Sequence, residues 1–143
     1  MVNLVIDTNI LIAALIRDSL TRAIITMSGF TFVCPDLILE EVKKYKEEIC
    51  LKSEISAWEY HRIFTSLLSF LRIIPRNVLE PFVQKAKSIM ETVDRDDVLF
   101  IATALAIQNE GIWSDDKHFD EQMKVKVWKT SDLIRKILNL ANE

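Results

Sequence analysis

The stretch Val2-Asn3-Leu4-Val5-Ile6-Asp7-Thr8-Asn9 decides the fold. Val2, Leu4, Val5 and Ile6 make an almost wholly apolar run in which β-branched residues predominate. Such a run has no polar face to turn toward water. It suits a strand buried on both sides, as in a parallel sheet covered by helices. Asp7 follows at once. In open parallel sheets, ligands bind beyond the carboxyl ends of the strands, near the point where strand order reverses. Asp7 therefore stands where a site would be. It can equally cap the next helix, because Asp7, Thr8 and Asn9 are all good cap residues. At this stage both readings are open.

Working outward, further strands are expected at residues 31–34, 72–74, 111–113 and 125–127. Helices are expected at 9–16 and 20–28, the second stopped by Gly29. Another runs from Pro35-Asp36 to about Glu48, with Leu37, Ile38 and Val42 on its inner face. Ser53 is expected to start a helix carrying Trp58, Ile63, Phe64, Leu67, Leu68 and Leu71 at helical spacing. Trp58, Phe64 and Phe70 are expected in the core rather than on an exposed partner face. Residues 81–90 are helical. Residues 97–107 form a helix that is apolar almost all round, so it should be buried beyond its first turn. Leu133, Ile134, Ile137, Leu138 and Ala141 mark a final amphipathic helix. Strands alternating with helices predict a three-layer α/β/α fold around a five-stranded parallel sheet. With no repeat and no linker, residues 1–143 read as one domain.

The bulk composition narrows the function. The formal net charge is −3, from 18 basic and 21 acidic residues. A nucleic-acid binder that works through a broad basic face is usually basic overall, so any RNA contact is expected to be local or helped by bound cations. Lys43, Lys44, Arg95 and Lys117 are the first candidates for it. Cys34 and Cys50 form no C-x-x-C pair and read as reduced thiols of an intracellular protein. The opening residues lack a basic start, and no apolar run approaches the roughly 20 residues of a membrane span. The expected location is the cytoplasm. Phosphate-binding glycine loops and H-E-x-x-H are absent. His61 and His118 have no zinc-ligand spacing, and His118 is read as a neighbour of the site rather than a catalytic group. A phosphoacceptor receiver domain would need an Asp after the third strand, where Arg72-Ile73-Ile74-Pro75-Arg76 has none.

What remains is a set of acids at the starts of elements. Asp116 follows the fourth strand, where it can also cap the turn containing Phe119. Asp94-Arg95-Asp96-Asp97 leads into the buried helix, with Asp94 as a possible N-cap and Asp97 as its capping-box partner. The helix dipole rewards a carboxylate there by ~0.3–1 kcal/mol. One carboxylate suffices for that, and three are present. Glu41 falls beside the inner face of its helix, while Glu40 points further round. Carboxylates from several elements can converge at one end of a parallel sheet. Oxygen-only ligands suit Mg²⁺ or Mn²⁺. One such ion, or two, can polarise a phosphate oxygen and activate a bound water, with no need for a catalytic His, Cys or Lys.

The motifs then resemble those of PIN-domain proteins. Val5-Ile6-Asp7-Thr8-Asn9-Ile10-Leu11 is similar to the family's opening strand ending in Asp-Thr/Ser-Asn. Pro35-Asp36-Leu37-Ile38-Leu39-Glu40-Glu41-Val42 resembles its second acidic motif. Asp97-Val98-Leu99-Phe100-Ile101-Ala102-Thr103-Ala104-Leu105 resembles the third, an Asp starting an Ala-rich helix. Ile112-Trp113-Ser114-Asp115-Asp116-Lys117-His118-Phe119 resembles the fourth, a strand followed by Thr/Ser-x-Asp-x-x-Phe. The resemblance implies a Mg²⁺- or Mn²⁺-dependent endoribonuclease acting on single-stranded RNA. Asp7, Glu41, Asp97 and Asp116 carry over as its acids, with Glu40 as the alternative to Glu41. Asn9 and Ser114 carry over as orienting residues, and Asp94 as a supporting one. Small members of the family are often VapC-type toxins, so an antitoxin partner and a homodimer are expected on the same ground. The alternative is a catalytically idle module of the same fold that binds RNA or protein.

Overall fold

The computed structural model describes residues 2–16, 19–90 and 95–142. Five strands form one sheet: β1 (Asn3–Ile6), β2 (Thr31–Pro35), β3 (Leu71–Ile74), β4 (Ile112–Trp113) and β5 (Val127–Trp128). Their order is β3-β2-β1-β4-β5, and every neighbouring pair is parallel. Leu4, Val5 and Ile6 are each 0% exposed, as an apolar run on both faces of a covered sheet requires.

The helices follow from the connections. From β1 the chain steps to β2 and then to β3, crossing on the same side each time. These crossovers carry α1 (Thr8–Ile16), α2 (Leu20–Met27), α3 (Leu37–Lys44), α4 (Lys46–Ser53) and α5 (Ala57–Leu68). The return from the β3 edge to β4 runs over the opposite face. It carries α6 (Arg76–Leu79), a 3-10 turn (Glu80–Phe82), α7 (Val83–Met90) and α8 (Arg95–Ala106). Consistent with this division, α1 packs on α2 to α5, whereas α8 packs on α6, α7, β1 and β2. A second 3-10 turn (Lys117–Glu121) follows β4, and α9 (Thr130–Ala141) follows β5. The expected three-layer α/β/α architecture is present. No described helix is long and apolar enough to cross a membrane.

Several boundaries differ from expectation for local reasons. The helix expected from Pro35 to Glu48 breaks at Tyr45, whose N–H bonds back to Val42 O rather than continuing an α-helical ladder. Ser53 ends α4 instead of starting α5, and its hydroxyl donates to Ile16 O. Glu54 then takes a left-handed conformation with φ 55°, and Ser56 caps α5 by accepting from Glu59 N at 3.1 Å. The α5 face that turns inward is set by Tyr60 and Leu67, leaving Trp58 69% and Phe70 40% exposed. Both were expected in the core. β5 begins two residues later than expected because Val125 is already bonded. The Gln122 side chain accepts from Val125 N and donates to Val125 O, both at 2.8 Å.

Candidate active site

The strand order reverses between β1 and β4. β1 leads outward to β2 and β3, while β4 lies on its other side. This is where an open parallel sheet leaves a crevice at its carboxyl ends. Asp7 leaves β1 there, and Ser114 to Asp116 leave β4 there. A pocket of about 200 Å³ fills the crevice, lined by Asp7, Glu41, Asp97 and Asp116 together with Thr8, Asn9 and Tyr45. Phe100 and Phe119 close its apolar side. Four elements widely separated in sequence thus contribute one acid each.

Asp7 is only 5% exposed. Its Oδ1 accepts from Ile10 N at 2.9 Å, so it does cap α1. Its Oδ2 accepts from the Ser114 hydroxyl. Ser114 Oγ in turn accepts from Asp116 N at 3.0 Å, tying the two strand ends together through one buried side chain. Burial pushes the Asp7 carboxyl above the usual carboxylate range. The Ser114 and Ile10 hydrogen bonds oppose this, and the charges of Asp116 and Asp115 add to it. Asp116 also has a capping bond, accepting from His118 N at 2.9 Å. Its neighbour Asp115 is committed elsewhere: Oδ1 accepts from Thr130 N at 2.9 Å and Oδ2 from Thr130 Oγ1 at 2.6 Å.

The two adjacent glutamates are separated by the turn of α3. Glu40 is exposed, whereas Glu41 is half-buried and lines the pocket. Thr8 Oγ1 donates to Glu41 Oε1 at 2.6 Å. Sequence reasoning gave Thr8 no role beyond capping; its place beside Asp7 was the available signal. Asn9 is exposed at the mouth of the pocket. His118 was placed near the site on sequence, and its Nδ1 lies 3.3 Å from Asp97 Oδ2 and 3.6 Å from Asp116 Oδ1. Asp94 lies outside the described residues. Tyr45 was not anticipated, since the helix break that carries it to the pocket leaves no motif.

The donor set fits a hard divalent cation. Every acid lining the pocket offers carboxylate oxygens, the ligands that Mg²⁺ and Mn²⁺ prefer. Among the described residues, the buried Asp7 carboxylate has an N–H and a hydroxyl for hydrogen-bond partners and like charges nearby, an arrangement that a cation would relieve. Among the described residues, no three His, Cys, Asp or Glu side chains stand close enough as they are to hold an ion. A pocket that keeps waters between ion and protein, as Mg²⁺ commonly does, is compatible with that spacing.

Fold and pocket together define a class: parallel α/β proteins with an acidic crevice at the switch point of the sheet. The chain belongs to the PIN-domain family, whose model matches residues 5–137. PIN domains are in general divalent-metal-dependent nucleases. Among solved structures the chain is similar to VapBC2 from Rickettsia felis bound to a DNA fragment from their promoter. The TM-score is 0.66, with 90% of this chain and 98% of that chain covered at 15% identity. At that identity the likeness shows the fold. No curated protein matches the sequence.

Proposed function

We propose that this PIN-domain protein is an endoribonuclease that cleaves single-stranded RNA with Mg²⁺ or Mn²⁺. The observation that carries the reading is the convergence of Asp7, Glu41, Asp97 and Asp116 on one pocket at the switch point. In this reading those four acids hold the metal. When bound, the metal would supply a Lewis acid for the phosphate and an activated water. The protein's own contribution is positional. Ser114 holds the Asp7 carboxylate and the start of the Asp116 turn in one register, and Thr8 holds Glu41 inward. Phe100 and Phe119 supply the apolar part of the pocket lining.

The similarity to a VapBC2 structure supports a further part of the reading, a toxin role with an antitoxin protein as partner. A homodimer belongs to the same proposal. The deciding assay is cleavage of a labelled single-stranded RNA with Mn²⁺, repeated with EDTA and with Asp7→Asn. Cleavage that EDTA and the substitution both remove supports the reading. One observation favours a catalytically idle binding module instead, namely that no three described ligands stand at coordination spacing. RNA that is bound but left uncut with Mn²⁺ would decide for that module.

A further inference from the structure

The acidic pocket has an electrostatic difficulty that its own residues do not solve. Four carboxylates line it on a chain of net charge −3. An RNA strand brings one negative charge per nucleotide, so it needs a cationic foothold nearby. A second groove, of about 530 Å³, lies along the open edge of the sheet between β5 and α9. Lys126, Trp128, Arg135 and Lys136 line it, with Asp132 and Leu140.

The cations there are held in place. Lys126 Nζ stands 3.9 Å from the centre of the Trp128 indole, and Lys136 Nζ 5.2 Å from it. Cation–π attraction to one ring orders two otherwise flexible side chains. The ring itself is fixed. Trp128 Nε1 donates to Glu110 O at 2.8 Å, and the indole lies so close over Gly111 that an added Cβ would fall 3.0 Å from it. Two ammonium groups gathered on one ring repel each other, and an anion bound beside them offsets that cost. The acids of the groove are largely engaged. Asp132 accepts from Lys129 N at 3.0 Å and pairs with Arg135. Glu110 reaches Lys136 only at 4.0 Å.

The groove reaches from the β5 edge back toward Glu110 and Gly111, ahead of β4, and Lys129 ties the end of β5 to the pocket. Lys129, the residue after Trp128, donates from Nζ to Asp116 O at 3.4 Å and pairs with Asp120 at 3.0 Å. To reach the ring-held lysines, a strand leaving the pocket past Asp116 would have to pass Lys129 and run back along the β5 edge. We propose that the β5–α9 groove is a phosphate-backbone track for single-stranded RNA, with Lys126 and Lys136 on the Trp128 indole as its anchoring cations. The inference rests on the RNA reading of the pocket and adds a second binding site to it.

The test measures binding in EDTA, where nothing is cut, by fluorescence anisotropy of a labelled long oligouridylate. Lys126→Glu with Lys136→Glu should weaken binding by roughly tenfold or more at low salt. Lys126→Gln with Lys136→Gln should lower the slope of log K against log salt by about 1.4, at ~0.7 per single-strand phosphate contact. Lys85→Glu with Lys87→Glu, exposed on α7, makes the same charge change away from the groove and should have only a small, salt-screened effect. Equal weakening by both charge-reversed pairs, or none by either, overturns the proposal. So does tighter binding of oligoglutamate than of the RNA at equal charge concentration, which would make the groove a site for an acidic polypeptide. Should the charge-reversed pair fail to fold, the glutamine pair carries the test alone. The nuclease reading is separated by Mn²⁺ assays on the long RNA and on the dinucleotide UpU, which is too short to reach the groove. The lysine variants should raise KM for the long RNA and leave UpU cleavage unchanged. If wild type cuts neither substrate while the anisotropy result holds, the nuclease reading fails and the groove stands. If it cuts both and the variants leave both unchanged, the groove fails and the nuclease reading stands.

Discussion

Asp116→Asn separates a metal ligand from a helix cap without any substrate. Asp97 Oδ2 and Asp116 Oδ1 lie 3.3 and 3.6 Å from His118 Nδ1, so at most about 7 Å separates them. Two unit charges at ~7 Å repel by ~0.6 kcal/mol in water and ~2.4 kcal/mol at an effective dielectric of 20. The side chains are 16% and 28% exposed, which places the relief at about 1 kcal/mol after screening. The cap survives the change, because an Asn oxygen can accept from His118 N as the carboxylate does. For a chain of this size, ~1 kcal/mol raises Tm by about 3 °C. Metal-free Asp116→Asn should therefore melt about 3 °C above metal-free wild type. With Mn²⁺ at a hundred times Kd, wild type should gain ~2.7 kcal/mol, roughly 8 °C, and the variant less than half of that. The assay is four melting curves, each protein with EDTA and with Mn²⁺. A variant that melts lower than wild type in EDTA, with Mn²⁺ moving both proteins alike, would refute the reasoning. Asp116 would then be a cap and nothing more.

Glu41→Gln should lower kcat for RNA by at least roughly tenfold, a transition-state loss of about 1.4 kcal/mol, whereas Glu40→Gln should leave it unchanged. The reverse pattern in the same kinetic assay would shift the second acidic motif by one residue. Asp115→Ala removes both bonds to Thr130; a loss of ~1–2 kcal/mol in denaturant unfolding is expected, with cleavage per folded molecule retained. A loss of activity without a loss of stability would place Asp115 in the site. Asp7 predicts a pH dependence. Its folded carboxyl is raised above the ordinary 3.8, so the native state binds the proton more tightly than the unfolded chain. Metal-free stability should fall as pH rises from about that value through the folded pKa, and the penalty should persist above it. Asp7→Asn should remove this fall in urea titrations across pH, and an unchanged slope would contradict the burial argument.

The sheet and its carboxyl-end acids were legible in the sequence because parallel strands buried on both faces leave unbroken apolar runs. Val2 to Ile6 could be little else. Element ends were less legible where a side chain competes with the backbone ladder. Gln122 bonds both polar groups of Val125 and delays β5, and nothing in the local pattern announces that choice. The same holds for Trp58, which sits at helical spacing with apolar neighbours. Which side of α5 turns inward was settled by Tyr60 and Leu67, a tertiary decision that periodicity leaves open. Thr8 and Tyr45 stayed hidden because each acts across the fold, one through Glu41 and the other through a helix break.

The choice between cap and ligand, open for Asp7 and Asp116 on sequence, is not a choice between exclusive roles. A carboxylate has two oxygens and about four lone-pair sites. Asp116 accepts one bond from the His118 amide, and Asp7 accepts one from Ile10 N and one from the Ser114 hydroxyl. Each cap bond fixes a side chain that would otherwise rotate, and acceptor capacity is left on the same group. Asp115 shows the contrast. Both of its oxygens are spent on Thr130, which makes it a strut for the start of α9. Asp120 is drawn outward by Lys129. Of the three acids in 115–120, only Asp116 lines the pocket. At a switch point, capping is therefore a means of aiming carboxylates: the strand end sets where the acid stands, the helix amide sets which way it points, and the pocket receives the lone pairs that remain.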